Sequence, residues 1–96
     1  MLTGKQRAYL RKMANTMNAA FQVGKQNVTP EFAGAIDEFL EAREIVKISI
    51  LNNCEEEPKD VAKSLSEQTR SECVQVIGKK IVLYRKSHDN PSIQLP

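Results

Sequence analysis

The sequence predicts a single α/β domain in which three helices pack on one four-stranded mixed sheet. Its 96 residues fit one compact domain and leave no room for a second. Along the chain, the spacing of apolar residues alternates between the period of a helix and that of a strand. It predicts the element order helix, strand, helix, strand, helix, strand, strand. Because alternating elements need crossover connections, we expect at least one parallel pair of strands and a closing antiparallel hairpin.

The first helix is predicted to begin after Thr3, which forms a capping box with Gln6. Apolar residues recur at helical spacing and, with Tyr9, predict one buried arc: Leu10, Met13, Ala14 and Met17. Basic residues are assigned to the opposite arc: Lys5, Arg7, Arg11 and Lys12. Since no acid neutralises them, an external anion is a natural partner. A short strand over residues 19–23 follows.

The second helix is predicted to begin at Pro30, with Thr29 as its N-cap. Its predicted core stripe is Phe32, Ala35, Ile36, Phe39, Leu40 and Arg43. Residues 44–51 then alternate between apolar and polar side chains, which predicts the strongest strand of the chain.

The third helix is predicted near Pro58, with a thin apolar stripe formed by Val61, Ala62 and Leu65. Two strands over residues 73–77 and 81–85 are joined by a glycine-led turn at residues 78–80, which predicts a hairpin. Residues 87–96 are polar with two prolines, so we expect the domain to span residues 1–86 and to be followed by a loose tail or edge segment.

Composition excludes several classes of protein. With 41% hydrophobic and 27% charged residues, the chain is not a disordered, collagen-like or disulfide-dense protein. It contains no apolar run of about 20 residues and no secretory signal, so we expect a cytoplasmic protein with no membrane partner. Cys54 and Cys73 are expected to be small buried hydrophobes, and neither they nor His88 form a zinc motif. No nucleophile or acid–base constellation and no P-loop is present, so we expect neither an enzyme nor a cofactor.

Charge is distributed unevenly along the chain. Residues 1–30 carry five cations and no acid, residues 31–72 carry eleven acids against five cations, and residues 73–96 carry four cations and one acid. If the two basic ends meet in the fold, they form a face that attracts polyanions, nucleic acid above all. Charge alone favours the alternative, in which these residues are solvated surface without a partner.

The loop that begins at Gly24 carries the clearest signal for a ligand. Gly24 allows an unusual backbone conformation and a close approach, Lys25 supplies a point charge, and the N–H groups near Thr29 and Glu31 begin a helix. Together these suit a phosphate, as in the G-x-x-G loop with which KH domains hold a nucleotide backbone. An ordinary polar turn explains this loop by itself equally well.

Other stretches of the sequence support the interpretation of this loop as a phosphate-binding loop. They include Leu2–Arg11, Gly24-Lys25 before Val28–Glu31, Leu40–Glu44, Lys47–Ser49, Leu51–Cys54 and Val74–Arg85. In this order they closely resemble the YhbY-type CRM-domain family over residues 2–86.

The resemblance implies a small α/β RNA-binding domain, related in shape to the C-terminal domain of bacterial translation initiation factor three. Bacterial single-domain members of the family associate with precursors of the large ribosomal subunit and are not known as enzymes. Gly24 and Lys25 match the first two positions of the family's G-x-x-G loop, and Asn27 stands at its second glycine. Arg70 stands where relatives often have a glycine that ends the third helix.

We therefore expect a monomeric, non-enzymatic protein that binds ribosomal RNA or large-subunit precursor particles. The predicted RNA-binding residues are Gly24, Lys25, Gln26, Asn27, Lys5, Arg7, Arg11, Lys12, Lys79, Lys80 and Arg85. Tyr9 and Tyr84 are expected to lie mainly in the core, so phosphate contacts should outweigh base stacking. The alternative is a protein-interaction module that docks its acidic middle, Glu55–Glu57 and the second helix, on a basic ribosomal protein.

Overall fold

The computed structural model describes residues 1–25 and 28–96. Three helices and four strands follow in the predicted order: α1 Gly4–Ala14, β1 Phe21–Val23, α2 Pro30–Arg43, β2 Ile45–Ile50, α3 Pro58–Thr69, β3 Glu72–Ile77 and β4 Lys80–Tyr84. The strands form one sheet in the order β1-β2-β4-β3. β1 is parallel to β2, and the other two pairs are antiparallel. The predicted fold class is confirmed.

The two predicted side-chain N-caps, at Thr3 and Thr29, are both present. Thr3 Oγ1 accepts a hydrogen bond from the N–H of Gln6 at 3.1 Å, and the Gln6 side chain accepts one from the N–H of Thr3 at 3.0 Å. At the second helix, Thr29 Oγ1 accepts a hydrogen bond from the N–H of Phe32 at 3.1 Å, and Pro30 occupies the first helical position. Each cap satisfies backbone donors that would otherwise lack a partner.

The helices cover both faces of the sheet. α2 and α3 pack on the face that carries Val46, Ile48 and Ile50, and they form the larger core with these residues. α1 packs on the opposite face, where Leu10 and Ala14 contact a second cluster with Ile45, Val74, Val82 and Tyr84. Since successive residues of a strand point to opposite faces, β2 contributes to both cores.

The core of α2 differs from the predicted stripe at two positions, Ala35 and Arg43. Ala35 is exposed and Ala33 is buried instead, because Ala33, Ile36 and Leu40 form the i, i+3, i+7 row that faces the sheet. Phe32 and Phe39 flank this row and contact the ring of Phe21 edge-to-face, with centroid distances of 5.9 and 5.4 Å. Arg43 is exposed, and its guanidinium lies 5.9 Å from the centroid of the Phe39 ring.

The side chain of Lys47 fastens the end of α1 to the sheet. Its Nζ donates hydrogen bonds to the carbonyl oxygens of Ala14 at 3.1 Å and Met17 at 3.3 Å. A lysine is favourable there because the carbonyls that end a helix lack partners and carry partial negative charge. α1 therefore ends at Ala14, and Met17, which was predicted on its apolar arc, packs on the second cluster from outside the helix.

Residues 87–96 form no helix or strand, but the expectation of a loose segment is wrong. Ile93 and Leu95 pack on the second cluster, and the carbonyl oxygen of Pro96 accepts a hydrogen bond from Gln6 Nε2 at 3.2 Å. Two carboxylates of α2 also hold this segment, as described below. Its polar composition hides these contacts because most of them are made by backbone groups.

Within the described part of the chain, no helix has the length and apolar character needed to span a membrane.

Candidate nucleic-acid interface

Three loops meet at one end of the sheet. Val23 of β1 is opposite Ile50 of β2, and Ser49 is opposite Lys80 of β4. The segments that follow β1 and β2 and the turn that precedes β4 therefore lie side by side. Backbone hydrogen bonds connect them, since the N–H of Leu51 donates to Val23 O at 2.8 Å and the N–H of Ile50 donates to Lys79 O at 2.7 Å.

Lysines from two of these loops form what we call the basic rim: Lys25, Lys79 and Lys80. All three are exposed, and none makes an ion pair with an acid among the described residues. Lys80 Nζ donates a hydrogen bond to Ser49 Oγ at 3.0 Å, which holds its charge over the sheet. Because neighbouring strands are about 4.8 Å apart, the ends of β1 and β4 are separated by roughly 10 Å. The rim thus concentrates positive charge over a short distance.

Gly24 leaves space for side chains of the loop that follows β2. A Cβ atom at this position would lie 3.1 Å from Asn53 Oδ1 and 3.4 Å from Leu51 Cδ1. The sequence suggested an unusual backbone conformation here, but among the described glycines only Gly78, in the hairpin turn, has a positive φ, of 55°. Gly24 therefore lets the loops after β1 and β2 approach each other. Gln26 and Asn27, the other predicted residues of this loop, lie outside the described residues.

The predicted basic arc of α1 is divided by the structure. Lys5, Arg11 and Lys12 are exposed, whereas Arg7 is half-buried and donates from Nη1 to the carbonyl oxygens of Cys73 and Val74. These carbonyls belong to a β-bulge, where the pairing of β3 with β4 shifts by one residue. Arg7 thus fastens α1 to β3, and its guanidinium is turned toward the sheet. This contact also explains in part why α1 needs no acid beside Arg7.

Arg85 lies far from the rim and is held by acids of α2. Its Nη2 is 3.1 Å from Asp37 Oδ1, its Nη1 is 3.1 Å from Glu41 Oε1, and only 10% of its side chain is exposed. The rim is at the start of β4, whereas Arg85 follows the end of that strand. The structure therefore brings Gly24, Lys25, Lys79 and Lys80 together and places Arg85 elsewhere.

Glu41 and Glu44 bind the segment that follows Arg85. Glu44 is fully buried, and its carboxylate accepts hydrogen bonds from the N–H groups of Ser87, Ser92 and Ile93 at 2.7–2.8 Å. Burial alone would raise the pKa of this carboxyl, but the N–H donors of Ile93, Ser87 and Ser92 outweigh burial and lower it.

Glu41 accepts hydrogen bonds from the same segment. The Ser87 hydroxyl donates to Glu41 Oε2 at 2.7 Å, and the N–H groups of Asp89 and His88 donate to the same oxygen at 3.1 and 3.0 Å. These donors, the Ser87 hydroxyl foremost, lower the pKa of Glu41 from 4.5 to about 2. The fold therefore stabilises the ionised form of both carboxylates.

The acidic middle of the chain is partly used inside the molecule. Asp37 and Glu41 pair with Arg85, and Glu44 is buried, so they contribute little free charge to a docking face. The run Glu55–Glu57 is exposed and lies between β2 and α3, in one of the three segments that meet at the rim end of the sheet. This run is the part of the predicted protein-docking surface that the structure leaves accessible.

The two tyrosines have opposite environments. Tyr84 is 7% exposed, as expected for a core residue, and burial raises the pKa of its hydroxyl. Tyr9 is 42% exposed, so its expected place in the core is wrong. Tyr9 directly precedes the buried Leu10 and is rotated from it by roughly 100° around the helix axis, which removes it from the sheet-facing side. Helical geometry could have indicated this from the sequence.

Comparisons with known proteins agree on the family. The family model of the CRS1 / YhbY (CRM) domain matches residues 2–85. The chain is 50% identical over 96 residues to the Probable RNA-binding protein YqeI of Bacillus subtilis (strain 168), with 100% of both chains covered. It is 28% identical over 95 residues to a protein of Haemophilus influenzae (strain ATCC 51907 / DSM 11121 / KW20 / Rd) named RNA-binding protein, covering 99% of this chain and 95% of the relative.

A solved structure shows the same fold. The solution structure of the hypothetical protein SAV1595 from Staphylococcus aureus matches with a TM-score of 0.82 and 48% sequence identity, and the match covers 100% of both chains. Together with the family model, this match confirms the resemblance that the sequence stretches indicated.

Proposed function

Because the chain belongs to the CRS1 / YhbY (CRM) domain family, we propose that it is a non-enzymatic RNA-binding protein that acts on ribosomal RNA during assembly of the large ribosomal subunit in the cytoplasm. Two relatives named as RNA-binding proteins, one of them covered over its full length, support the RNA partner. The ribosomal role is proposed from the family resemblance, and the cytoplasmic location repeats the expectation drawn from the sequence.

The observation that carries the proposal is the basic rim. Lys25 and the Lys79–Lys80 pair come from distant parts of the chain, and the parallel β1–β2 pairing and the antiparallel β2–β4 pairing bring them to one end of the sheet. Exposed lysines without acidic partners can increase the affinity for RNA by neutralising phosphates, because each such contact releases a condensed counterion. Lys5, Arg11 and Lys12 of α1 are also exposed, and we assign these cations to the RNA footprint as contacts outside the rim.

This footprint favours recognition of the RNA backbone. The rim offers point charges from three exposed lysines. Contacts to phosphates position an RNA without specifying its bases, so shape should dominate the choice of RNA. Arg7 and Arg85 stabilise the fold in this account, and we exclude them from the interface.

A titration tests the proposal directly. The purified protein is titrated onto a structured fragment of large-subunit ribosomal RNA at low and at physiological salt, with duplex DNA of matched length alongside. We expect tighter binding to RNA and a negative slope of log affinity against log salt of about 0.7 to 0.9 for each phosphate contacted, hence about 2 to 3 from the rim. Absence of RNA binding at low salt, or equal binding to DNA, would refute the proposal.

The protein-docking alternative predicts a different result for the acidic run. If Glu55–Glu57 bind a basic ribosomal protein, replacing all three residues by glutamine should abolish binding to ribosomal precursor particles. In our account the same replacement leaves RNA affinity unchanged or raises it, because the acids repel phosphate. Loss of particle binding with intact RNA binding would favour the docking alternative.

A further inference from the structure

Tyr9 is the exposed aromatic residue of this protein. The chain has three phenylalanines and two tyrosines, all in the described part. The rings of Phe32 and Phe39 both contact Phe21 beside the larger core, and Tyr84 is buried. Tyr9 is 42% exposed, and its hydroxyl makes no hydrogen bond to another described residue. The exposed part of this ring is therefore accessible to a partner.

Two lysines flank this ring. Lys5 lies four residues before Tyr9 and Lys12 lies three residues after it, so both are its neighbours on the helix surface, with Cβ atoms about 5 to 6 Å away. Both lysines are exposed, as is the small Ala8 beside the ring. α1 contains no acid. The outer face of α1 therefore presents one aromatic ring between two cations, a charge pattern that attracts an anionic chain.

We propose that Tyr9 is a stacking site for an unpaired RNA base, with Lys5 and Lys12 on the phosphates at either side of that base. Every base has a π-face, so an exposed tyrosine can stack on any unpaired base, and flanking cations that track the backbone are the usual companions of such a ring. Inside a duplex the faces of a base are covered, so the site selects single-stranded RNA. The inference rests on the proposed function and adds a second RNA contact, separate from the rim.

This arrangement favours RNA over a protein partner. A protein that buried Tyr9 would also have to desolvate Lys5 and Lys12, and it would need acids at matching positions. A single strand supplies a base and regularly spaced phosphates together.

Tyrosine fluorescence provides a direct readout. The protein contains no tryptophan, and its other tyrosine, Tyr84, is buried. A single-stranded oligoribonucleotide should therefore quench the emission of Tyr9, whereas the same sequence in a perfect duplex should quench it much less. Equal quenching by both forms would overturn the inference.

Three substitutions separate stacking from structure. Tyr9→Ala and Tyr9→Leu should both weaken binding of the single strand by about tenfold, because neither keeps a π-face, while Tyr9→Phe should bind like the wild type. All three should leave the salt slope unchanged, whereas Lys12→Gln should reduce it by about 0.7. Thermal unfolding of each variant is measured in parallel, and Tyr9→Leu preserves most of the apolar surface that Tyr9→Ala removes.

The outcomes distinguish the two proposals. If Tyr9→Ala binds single-stranded RNA as tightly as the wild type, while reversal of the rim charge still weakens binding, the stacking site is wrong and the proposed function stands. If the wild-type protein binds no RNA at low salt, both proposals fail.

Discussion

The carboxylate of Glu44, at the end of α2, accepts a hydrogen bond from the N–H of Ile93, 49 residues further along the chain, at 2.7 Å. The N–H groups of Ser87 and Ser92 donate to the same carboxylate at 2.8 Å. One buried side chain thus fixes the course of the segment after β4, which no regular secondary structure holds.

Replacing Glu44 by alanine should release this segment. The substitution leaves three backbone N–H groups without their acceptor, and we expect the free energy of unfolding to fall by roughly 3 kcal/mol. Urea unfolding measures the loss, and hydrogen exchange should show faster exchange at Ser87, Ser92 and Ile93. Glu44→Gln keeps one acceptor oxygen and should lose less. Unchanged protection of these amides in Glu44→Ala would contradict the assignment.

Glu41 should make the protein sensitive to acid. Its pKa is lowered from 4.5 in the unfolded chain to about 2 in the fold, so the unfolded chain binds more protons between these values and stability rises with pH across the interval. The contribution of Glu41 is therefore fully present above about pH 4.5 and is lost as the pH falls toward 2. The melting temperature should drop steeply between pH 4.5 and 2.5. A Glu41→Gln variant that drops just as steeply would show that other groups cause the effect.

Arg70 should be replaceable with a gain in stability. It ends α3 in the left-handed conformation, with φ 56° and ψ 38°, which strains residues that have a Cβ atom. Arg70→Gly removes this strain, but glycine gives the unfolded chain more conformational entropy, which offsets part of the gain. The net result should be a rise of about 0.5 to 1 kcal/mol in the free energy of unfolding. Denaturant unfolding at neutral pH checks this value, and Arg70→Asn should gain less. A destabilised glycine variant would mean that the Arg70 side chain stabilises the helix end.

Arg7 and Arg11 should respond differently to the same substitution. Arg7→Gln removes the hydrogen bonds to the bulge of β3 and should cost about 1 to 3 kcal/mol of stability. Arg11 is exposed, so Arg11→Gln should change stability by less than about 0.5 kcal/mol and act mainly on RNA affinity. Thermal unfolding and RNA titration of both variants provide the comparison. Equal effects of the two substitutions on stability would contradict the division of the basic arc.

Local signals in the sequence predicted the fold correctly. The capping box of Thr3, the Thr29-Pro30 helix start and the alternation over Ile45–Ile50 each depend on residues that are close in the chain, and each formed as expected. The hairpin turn at Gly78 is of the same kind, since a positive φ there suits glycine. Periodicity and turn chemistry are enough for such elements because their partners lie within a few residues.

Long-range partners were not predictable in this way. From the sequence, Arg7 is expected to be a cation that faces solvent. Its acceptor, the carbonyl of Cys73, lies 66 residues away on a β-bulge that no local pattern indicated. In the sequence, Glu44 is one of several charged residues at the end of α2. The backbone N–H groups that donate to it come from a segment of polar composition. For both residues, the sequence identifies a charged group without revealing what it binds.

The candidate site was predictable in part. The loop at Lys25 and the hairpin lysines were identified separately, but their convergence depends on the strand order β1-β2-β4-β3. Several sheet orders satisfy the same sequence pattern, and in others these lysines would lie apart. Arg85 was assigned to the site by its charge and its family-like surroundings, and the position of Asp37 and Glu41 on α2 shows why it points inward.

The most direct test of the central claim reverses the charge of the rim and compares the result with a matched reversal elsewhere. Lys25→Glu places an acid at the rim, and Lys63→Glu makes the same change of charge on the exposed face of α3. We predict that Lys25→Glu weakens binding to the ribosomal RNA fragment about tenfold or more and lowers the salt slope by about 1, while its melting temperature stays near that of the wild type. Lys63→Glu should change RNA affinity much less. Equal losses in the two variants, or a loss at Lys25 that accompanies unfolding, would contradict an RNA-binding site at the rim.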